Sequence, residues 1–287
     1  VPVNKKGTSV GAGYSFGHVQ VDNRTGPSDL TGKAHNYSLF VNQDIEKIKG
    51  LSASSGFNVR KIRAYSDDVY SGESDVTSAS LGLAWEGEDK FGYTNLNASV
   101  LFGMAAWGGD TSFYKYEAGA TRVVNLPKNQ FLVFNAYSML SPDPLPGFEQ
   151  MQIGGSSSVR GYTEGLLFGD KGYTLNGEYR FPIWGLDKFA PTVADKLQGV
   201  IFGDVAQVFT DSDSSAFTGG STARTSTTLV GTGTGLRLSV SDHLEGFVDL
   251  GVGLSDRTMK EPNAQPAVRV HFGVRSQLIP KKYQKRG

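Results

Sequence analysis

Tyr173-Thr174-Leu175-Asn176-Gly177-Glu178-Tyr179-Arg180-Phe181-Pro182-Ile183 is the stretch on which the fold turns. Tyr173, Leu175, Gly177, Tyr179, Phe181 and Ile183 fall on one side of an extended chain, and Thr174, Asn176, Glu178 and Arg180 on the other. The same period of two recurs towards the C-terminus. Leu244, Gly246, Val248, Leu250, Val252 and Leu254 oppose Glu245, Phe247, Asp249 and Gly251, and Val268, Val270, Phe272 and Val274 oppose Arg269, His271, Gly273 and Arg275. Helical periodicity is almost absent. A soluble sandwich alternates in the same way, so the choice of all-β architecture rests on strand count and loop lengths.

Twelve strands are predicted, over 8–21, 34–46, 50–64, 74–86, 90–105, 112–125, 129–142, 171–183, 196–209, 226–240, 243–255 and 265–278. Within the third, Leu51 to Arg63 alternates poorly. The first, third, fifth, seventh, ninth and eleventh connections are the longer ones: Asp22–Lys33, Ser66–Glu73, Ala106–Thr111, Ser141–Lys171, Asp211–Arg224 and Asp256–Ala264. Those between them are mostly short, Leu126–Lys128 and Ser241–Asp242 among them. Sorting long and short connections to opposite ends is the habit of an outer-membrane barrel, with surface loops at one rim and periplasmic turns at the other. A sandwich has no reason for it. The reading is an antiparallel transmembrane outer-membrane β-barrel. Tyr14, Phe16, Trp85, Phe102, Tyr114, Tyr116, Phe181 and Trp184 lie near strand ends, where interfacial aromatic girdles sit.

Composition agrees. The chain has 287 residues, 28 Lys+Arg against 28 Asp+Glu, four His and no Cys. Zero net charge offers no field for a nucleic-acid backbone. Without cysteine there are no thiolate metal sites or disulfides, and four scattered histidines do not suggest a metal enzyme. Mean hydropathy is −0.27, and no apolar run approaches the ~18 residues of a spanning helix. Barrel strands escape that test because lipid-facing and lumen-facing residues average out. Gly is 37 of 287, nearly twice the usual ~7%. Val1 to Ser9 is polar and has no apolar signal core, which reads as a mature form or a fragment.

The longest loop, residues 143–171, contains Gly154-Gly155-Ser156-Ser157-Ser158-Val159-Arg160-Gly161-Tyr162 and then Gly169-Asp170-Lys171-Gly172-Tyr173. The run from Glu149-Gln150 to Gly155, the Val159-Arg160-Gly161-Tyr162 motif, Gly-Asp-x-Gly and a strand with inward Glu178 resemble the sixth extracellular loop of the two-partner-secretion transporters. These are the TpsB proteins of ShlB/FhaC/HecB type, in the BamA superfamily. The resemblance implies that the loop folds back into the lumen, that five strands follow it, as they do here, and that the second of these carries Phe-x-Asp-x-Gly. This chain has Phe202-Gly203-Asp204-Val205-Ala206, with Ala206 in place of the usual Gly.

The residues support an anchored loop on their own chemistry. A loop of some thirty residues is mobile unless tied down. Arg160 offers a planar five-donor fork to a carboxylate. Asp204 is lumen-facing by alternation, as are Glu178 and Arg180. Gly161 permits a close turn, and Tyr162 can stack on or bond to the wall. An Arg160–Asp204 latch in a partly wet lumen is expected to contribute about 1.5–3 kcal/mol. Lys115, Glu117, Arg237, Glu245, Asp249, Arg269 and Arg275 are further lumen-facing charges. Glu245 and Asp249 are expected to pair with Arg269 and Arg275 on the next strand, within a mixed-charge conduit. Gly231, Gly233 and Gly235 share the inner face and leave space there for a folded-in loop.

Barrel enzymes need a His paired with Asp or Ser. His18 and His35, with Asp22 and Asp29 nearby, read as polar rim residues instead, and Gly11 to Gly17 misses the dinucleotide spacing. The expected function is an outer-membrane pore passing a partner exoprotein of haemolysin or adhesin type, without cofactor, nucleotide or metal. Its other partners are outer-membrane lipid and, during insertion, the assembly machinery; nucleic acid is not among them. A BamA-like assembly factor or surface-antigen barrel is the alternative, and a passive porin the second. The family implies POTRA domains and sixteen strands. The chain then reads as residues 1–279 of barrel, the first strand being the family's fifth, with a basic tail at 280–287; a smaller closed barrel is the other possibility.

Overall fold

The computed structural model describes residues 2–4, 7–21, 30–66, 69–183, 185, 188, 196–210, 225–241, 244–255 and 268–276. Among these are fourteen strands: β1 (Thr8–Val21), β2 (Leu30–Asp44), β3 (Leu51–Ser66), β4 (Val69–Asp89), β5 (Gly92–Met104), β6 (Phe113–Leu126), β7 (Gln130–Leu140), β8 (Met151–Ile153), β9 (Leu167–Gly169), β10 (Lys171–Pro182), β11 (Leu197–Thr210), β12 (Thr225–Ser241), β13 (Leu244–Gly253) and β14 (Val268–Ser276). Twelve form one sheet in the order β1-β2-β3-β4-β5-β6-β7-β10-β11-β12-β13-β14. The other two, β8 and β9, pair only with each other. Neighbours in sequence are thus neighbours in space, the meander expected of chain-order antiparallel pairing.

The twelve long strands are those predicted, and the short β8–β9 ladder inside the longest loop was not. Two connections need correction. Ser66–Glu73 was expected to be a long acidic loop, and Asp22–Lys33 to run up to residue 33. Instead β4 begins at Val69 and β2 at Leu30, so only positions 67 and 68 separate β3 from β4. The acidic residues that suggested a loop form cross-strand ion pairs: Arg63 meets Glu73 at 3.0 Å and Asp75 at 2.7 Å. Opposite charges facing each other across an antiparallel ladder stabilise the pairing that their polarity seemed to exclude. The poor alternation of β3 has the same origin, since its outer face turns from Phe57 and Val59 to Lys61 and Arg63 along its length.

Two compact units are distinguished, and each is described by itself. The first comprises Val1–Gly87, Leu96–Ala118 and Leu140–Pro146; the second comprises Glu88–Asn95, Gly119–Met139 and Gly147–Gly287. In the first, Tyr14, Phe16, Tyr37, Leu39, Leu81 and Leu83 are exposed on one face. The other face is small or polar, as at Gly13, Ser38, Asn58 and Ser80. The expected lumen residue Lys115 lies there, buried and 3.4 Å from Glu117. His35 stands instead on the apolar side, its Nδ1 2.9 Å from the Tyr14 hydroxyl and its ring against Phe16. Asp22, Asp29, Trp184 and the 280–287 tail lie outside the described residues.

In the second unit, Val248, Leu250, Val268, Val270, Phe272 and Val274 are exposed, whereas Glu178, Asp204, Arg237, Phe247 and Asp249 are buried. Apolar residues outside and charges inside invert the pattern of a water-soluble sheet. That inversion is the arrangement lipid requires.

Candidate functional site

Glu178 on β10, Asp204 on β11, Arg237 on β12 and Asp249 on β13 all face the interior of the second unit. The register sets this: Asn176 stands opposite Asp204, Gly231 opposite Asp204 on the other side, and Gly235 opposite Asp249. Onto this wall the loop between β7 and β10 folds a tight hairpin. The β8–β9 ladder pairs Met151 with Gly169 and Ile153 with Leu167. Gln150 donates to Asp170 at 3.0 Å, and the Asp170 backbone N–H donates to the Phe209 carbonyl. Within the tip, the Gly154 N–H donates to Ser158 Oγ at 2.7 Å and the Ser156 N–H to Glu164 at 2.6 Å. The loop backbone thereby satisfies part of its polar groups within the loop and part against the wall.

Arg160 reaches from this tip into three carboxylates. Its Nε and Nη2 each donate to Asp204 at 2.8 Å, the bidentate fork; Nη1 donates to Glu178 at 2.6 Å and to Asp249 at 3.2 Å. Its backbone N–H adds a third bond to Asp204, at 3.0 Å. The guanidinium lies 3.5 Å from the centroid of Phe202, whose ring face attracts the cation. Arg160 is 3% exposed and Asp204 1%. Burial weakens the guanidinium's hold on its proton, and the Asp204 hydrogen bonds with the Asp204 and Glu178 charges strengthen it by more, so Arg160 stays cationic.

The cluster extends along the wall. Arg237 donates to Asp249 at 2.5 Å and to Glu178 at 2.7 Å. Arg180 joins Glu178 at 2.9 Å to Glu245 at 3.1 Å. Asn176 donates to Asp204 at 2.9 Å and also to the Ser158 carbonyl. Two corrections follow. Arg160 and Asp204 are not a single pair in a partly wet lumen, because Arg160 also meets Glu178 and Asp249 and both residues are buried. Nor does Asp249 stand opposite a β14 arginine, as expected. In the register Asp249 faces His271 and Arg269 faces Gly251, and the guanidiniums of Arg180 and Arg237 lie closer. Arg275 stands opposite Glu245 in the ladder, but its side chain lies outside the described residues.

Gly161, at φ +99°, makes the turn after Arg160, a backbone region that disfavours a Cβ. Its N–H donates to His271 Nε2 at 3.2 Å, which places the ring proton on Nδ1. The Tyr162 hydroxyl donates to the Val230 carbonyl at 3.0 Å and accepts the Ser255 N–H at 2.9 Å. Of the glycines read as a space-leaving patch, Gly231 lies against the loop, whereas Gly233 and Gly235 lie against Leu250, Phe202 and Asp249 of the neighbouring strands; Gly251 and Gly253 make the rest of the space. A Cβ on Gly231 would collide with the Arg160 carbonyl, one on Gly251 would lie 2.5 Å from the Gly161 nitrogen, and one on Gly253 2.6 Å from the Tyr162 ring. Val159 and Ala206 are fully buried. Asn176, His271, Ser255, Gly251 and Gly253 were missed as contact residues. Alternation puts Asn176, His271, Gly251 and Gly253 on the inner face, but no motif singles them out.

Residues 1–238 match the family model described as haemolysin secretion/activation protein ShlB/FhaC/HecB. The outer membrane transporter CdiB of Escherichia coli is 28% identical over 229 residues, 75% of this chain and 36% of that protein, so the chain spans well under half its relative's length. Among solved structures, CdiB from Escherichia coli superposes with a TM-score of 0.72 at 24% identity, covering 94% of this chain and 50% of that one. BamA from Haemophilus ducreyi lacking POTRA domains 1–3 gives 0.68 at 12% identity, covering 95% of this chain and 60% of that one. These likenesses show the barrel fold, and the BamA match at such low identity shows nothing more. With most of its residues inside the family model, the chain belongs to the ShlB/FhaC/HecB haemolysin secretion/activation family, the TpsB outer-membrane β-barrels of Gram-negative bacteria.

Proposed function

We propose that this chain supplies part of an outer-membrane pore that passes a partner exoprotein of haemolysin or adhesin type, and that the Val159–Tyr162 segment is its conformational latch. The observation that carries the reading is the burial of Arg160 among Asp204, Glu178 and Asp249. A passive porin has no use for a cation inserted from a loop into a dry carboxylate cluster. Charges of both signs on the inner face of each unit, Lys115 and Glu117 in the first and Arg180 and Glu245 in the second, suit an unfolded polypeptide that must cross without adhering. Residues 1–279 belong to the barrel in this reading, and 280–287 form a basic tail.

The native chain has no cysteine, so a disulfide between Ser158→Cys and Asn176→Cys can lock the loop to β10. Co-expressed with its exoprotein, the oxidised double variant is expected to lose secretion and regain it on reduction. Undiminished secretion with the disulfide verified as formed refutes the latch.

A further inference from the structure

The wall that receives Arg160 is held in shape by bonds that do not involve the loop. Arg237 meets Glu178 at 2.7 Å and Asp249 at 2.5 Å, Arg180 meets Glu178 at 2.8 Å, and Asn176 donates to Asp204 at 2.9 Å. Phe202 precedes Asp204 by two residues on β11, so its ring lies on the same face beside that carboxylate. To this wall Arg160 adds the fork to Asp204, one bond each to Glu178 and Asp249, and the stack on Phe202. Residues of β10, β11 and β13 thus form a complete site for one guanidinium, which Arg237 of β12 braces. A lysine ammonium does not fit it, because a single nitrogen cannot span the fork and cover the ring at once.

The same wall reads the main chain around that guanidinium. Asp204 accepts the Arg160 N–H at 3.0 Å, Asn176 donates to the Ser158 carbonyl, and His271 Nε2 accepts the Gly161 N–H at 3.2 Å. Gly231 makes room for the Arg160 carbonyl and Gly251 for the Gly161 nitrogen. The residue after the arginine has to be glycine. Gly161 has φ +99°, and a Cβ there would lie 2.5 Å from the Gly253 nitrogen and 2.6 Å from the Val252 carbonyl carbon. Together the contacts describe one ligand, a peptide with arginine followed by glycine, and none of them depends on the covalent link to β7 and β10.

From this set of contacts we propose that the wall is a binding site for Arg-Gly segments of polypeptide. The seated loop is its intramolecular occupant, and an Arg-Gly segment of the passing exoprotein takes the place of Arg160 when the loop withdraws. The proposal rests on the latch reading above, since it requires a loop that can leave. Withdrawal without replacement leaves Asp204, among the described residues, with no paired cation, a costly state for a buried carboxylate. Exchange for a second guanidinium avoids that state, so the incoming segment favours the open loop over the seated one.

The test uses the detergent-solubilised full chain and a fluorescent, end-capped peptide of the sequence Ser157–Thr163, with affinity read by anisotropy. In the protein, Val159→Gly/Arg160→Gly/Tyr162→Gly removes the loop side chains that contact the wall, so the loop no longer competes. This variant is expected to bind the peptide. Wild-type protein should bind it about tenfold or more weakly, because its own loop competes at an effective concentration on the order of millimolar. Arg160→Lys or Gly161→Ala in the peptide should each weaken binding about tenfold or more, as should Asp204→Asn in the variant protein. Heat-modified gel mobility reports whether each barrel is folded, and the two peptide changes decide the matter without altering the protein. A peptide with alanine everywhere except Arg160 and Gly161 should compete with the labelled one. The proposal is overturned by absence of binding, by equal affinity for the Lys or Ala peptide, by equal affinity of wild type and the loop variant, or by failure of the alanine peptide to compete. The Ser158→Cys/Asn176→Cys experiment reads secretion and this one reads affinity in its absence, so the latch and the Arg-Gly site can fail separately.

Discussion

Arg160→Ala should unseat the loop, and the structure says which group is responsible. The substitution deletes four side-chain hydrogen bonds: two to Asp204, one to Glu178 and one to Asp249. Glu178 keeps Arg237 and Arg180, and Asp249 keeps Arg237. Among the described residues, Asp204 loses the only cation paired with it and keeps the backbone N–H of residue 160 and Asn176. Removing one partner of a buried pair costs about 3–5 kcal/mol. That is a factor of roughly 10² to 10³ or more in the population of the seated loop. Asp204→Ala should cost less, because Arg160 then still holds Glu178 and Asp249. The double variant Arg160→Ala/Asp204→Ala should be milder than Arg160→Ala alone, since no orphaned carboxylate remains. Hydrogen exchange over Gly154–Tyr162 in the reconstituted protein measures the opening free energy directly. If Asp204→Ala proves worse than Arg160→Ala, or the two effects simply add, the orphaned-carboxylate account is wrong.

Three further outcomes follow from the same geometry. Gly231→Val should prevent seating of Arg160, because its side chain collides with the Arg160 carbonyl and with Val159; overpacking of this kind costs about 1–3 kcal/mol or more and should reproduce the exchange profile of Arg160→Ala. Tyr162→Phe removes the hydroxyl shared by Val230 and Ser255, so faster exchange around Tyr162 worth about 1–3 kcal/mol is expected, with the Arg160 contacts intact. Val248→Arg puts a charge on the lipid side of β13 and should destabilise the folded barrel by about 2–4 kcal/mol in urea titrations in bilayers; the loop contacts should be unaffected.

The strands were legible because the lipid environment imposes one rule at every second residue. In Tyr173–Ile183 and Val268–Val274 that rule leaves an unbroken alternation over the whole strand. It failed for 69–73, where Glu73 and its neighbours read as loop. There β3 and β4 run past the aromatic belt, and the outer face is free to be charged. The β8–β9 ladder was illegible for a different reason: three residues per strand carry too little periodicity to register.

The amino-acid order alone determines the face on which each strand residue lies, and the resemblance carried by the Val159–Tyr162 and Phe202–Ala206 motifs singles out Arg160 and Asp204. Each is a local matter, set by a period of two or by a motif within a few residues. Which carboxylates surround the guanidinium was decided only in three dimensions. Glu178, Asp204 and Asp249 lie on three different strands, and their convergence depends on register and on the depth to which the loop descends. That depth is set by glycines at 231, 251 and 253, whose missing side chains make room for Arg160, Gly161 and the Tyr162 ring, 71 to 91 residues away along the chain, a distance over which the period of two carries no information about contact.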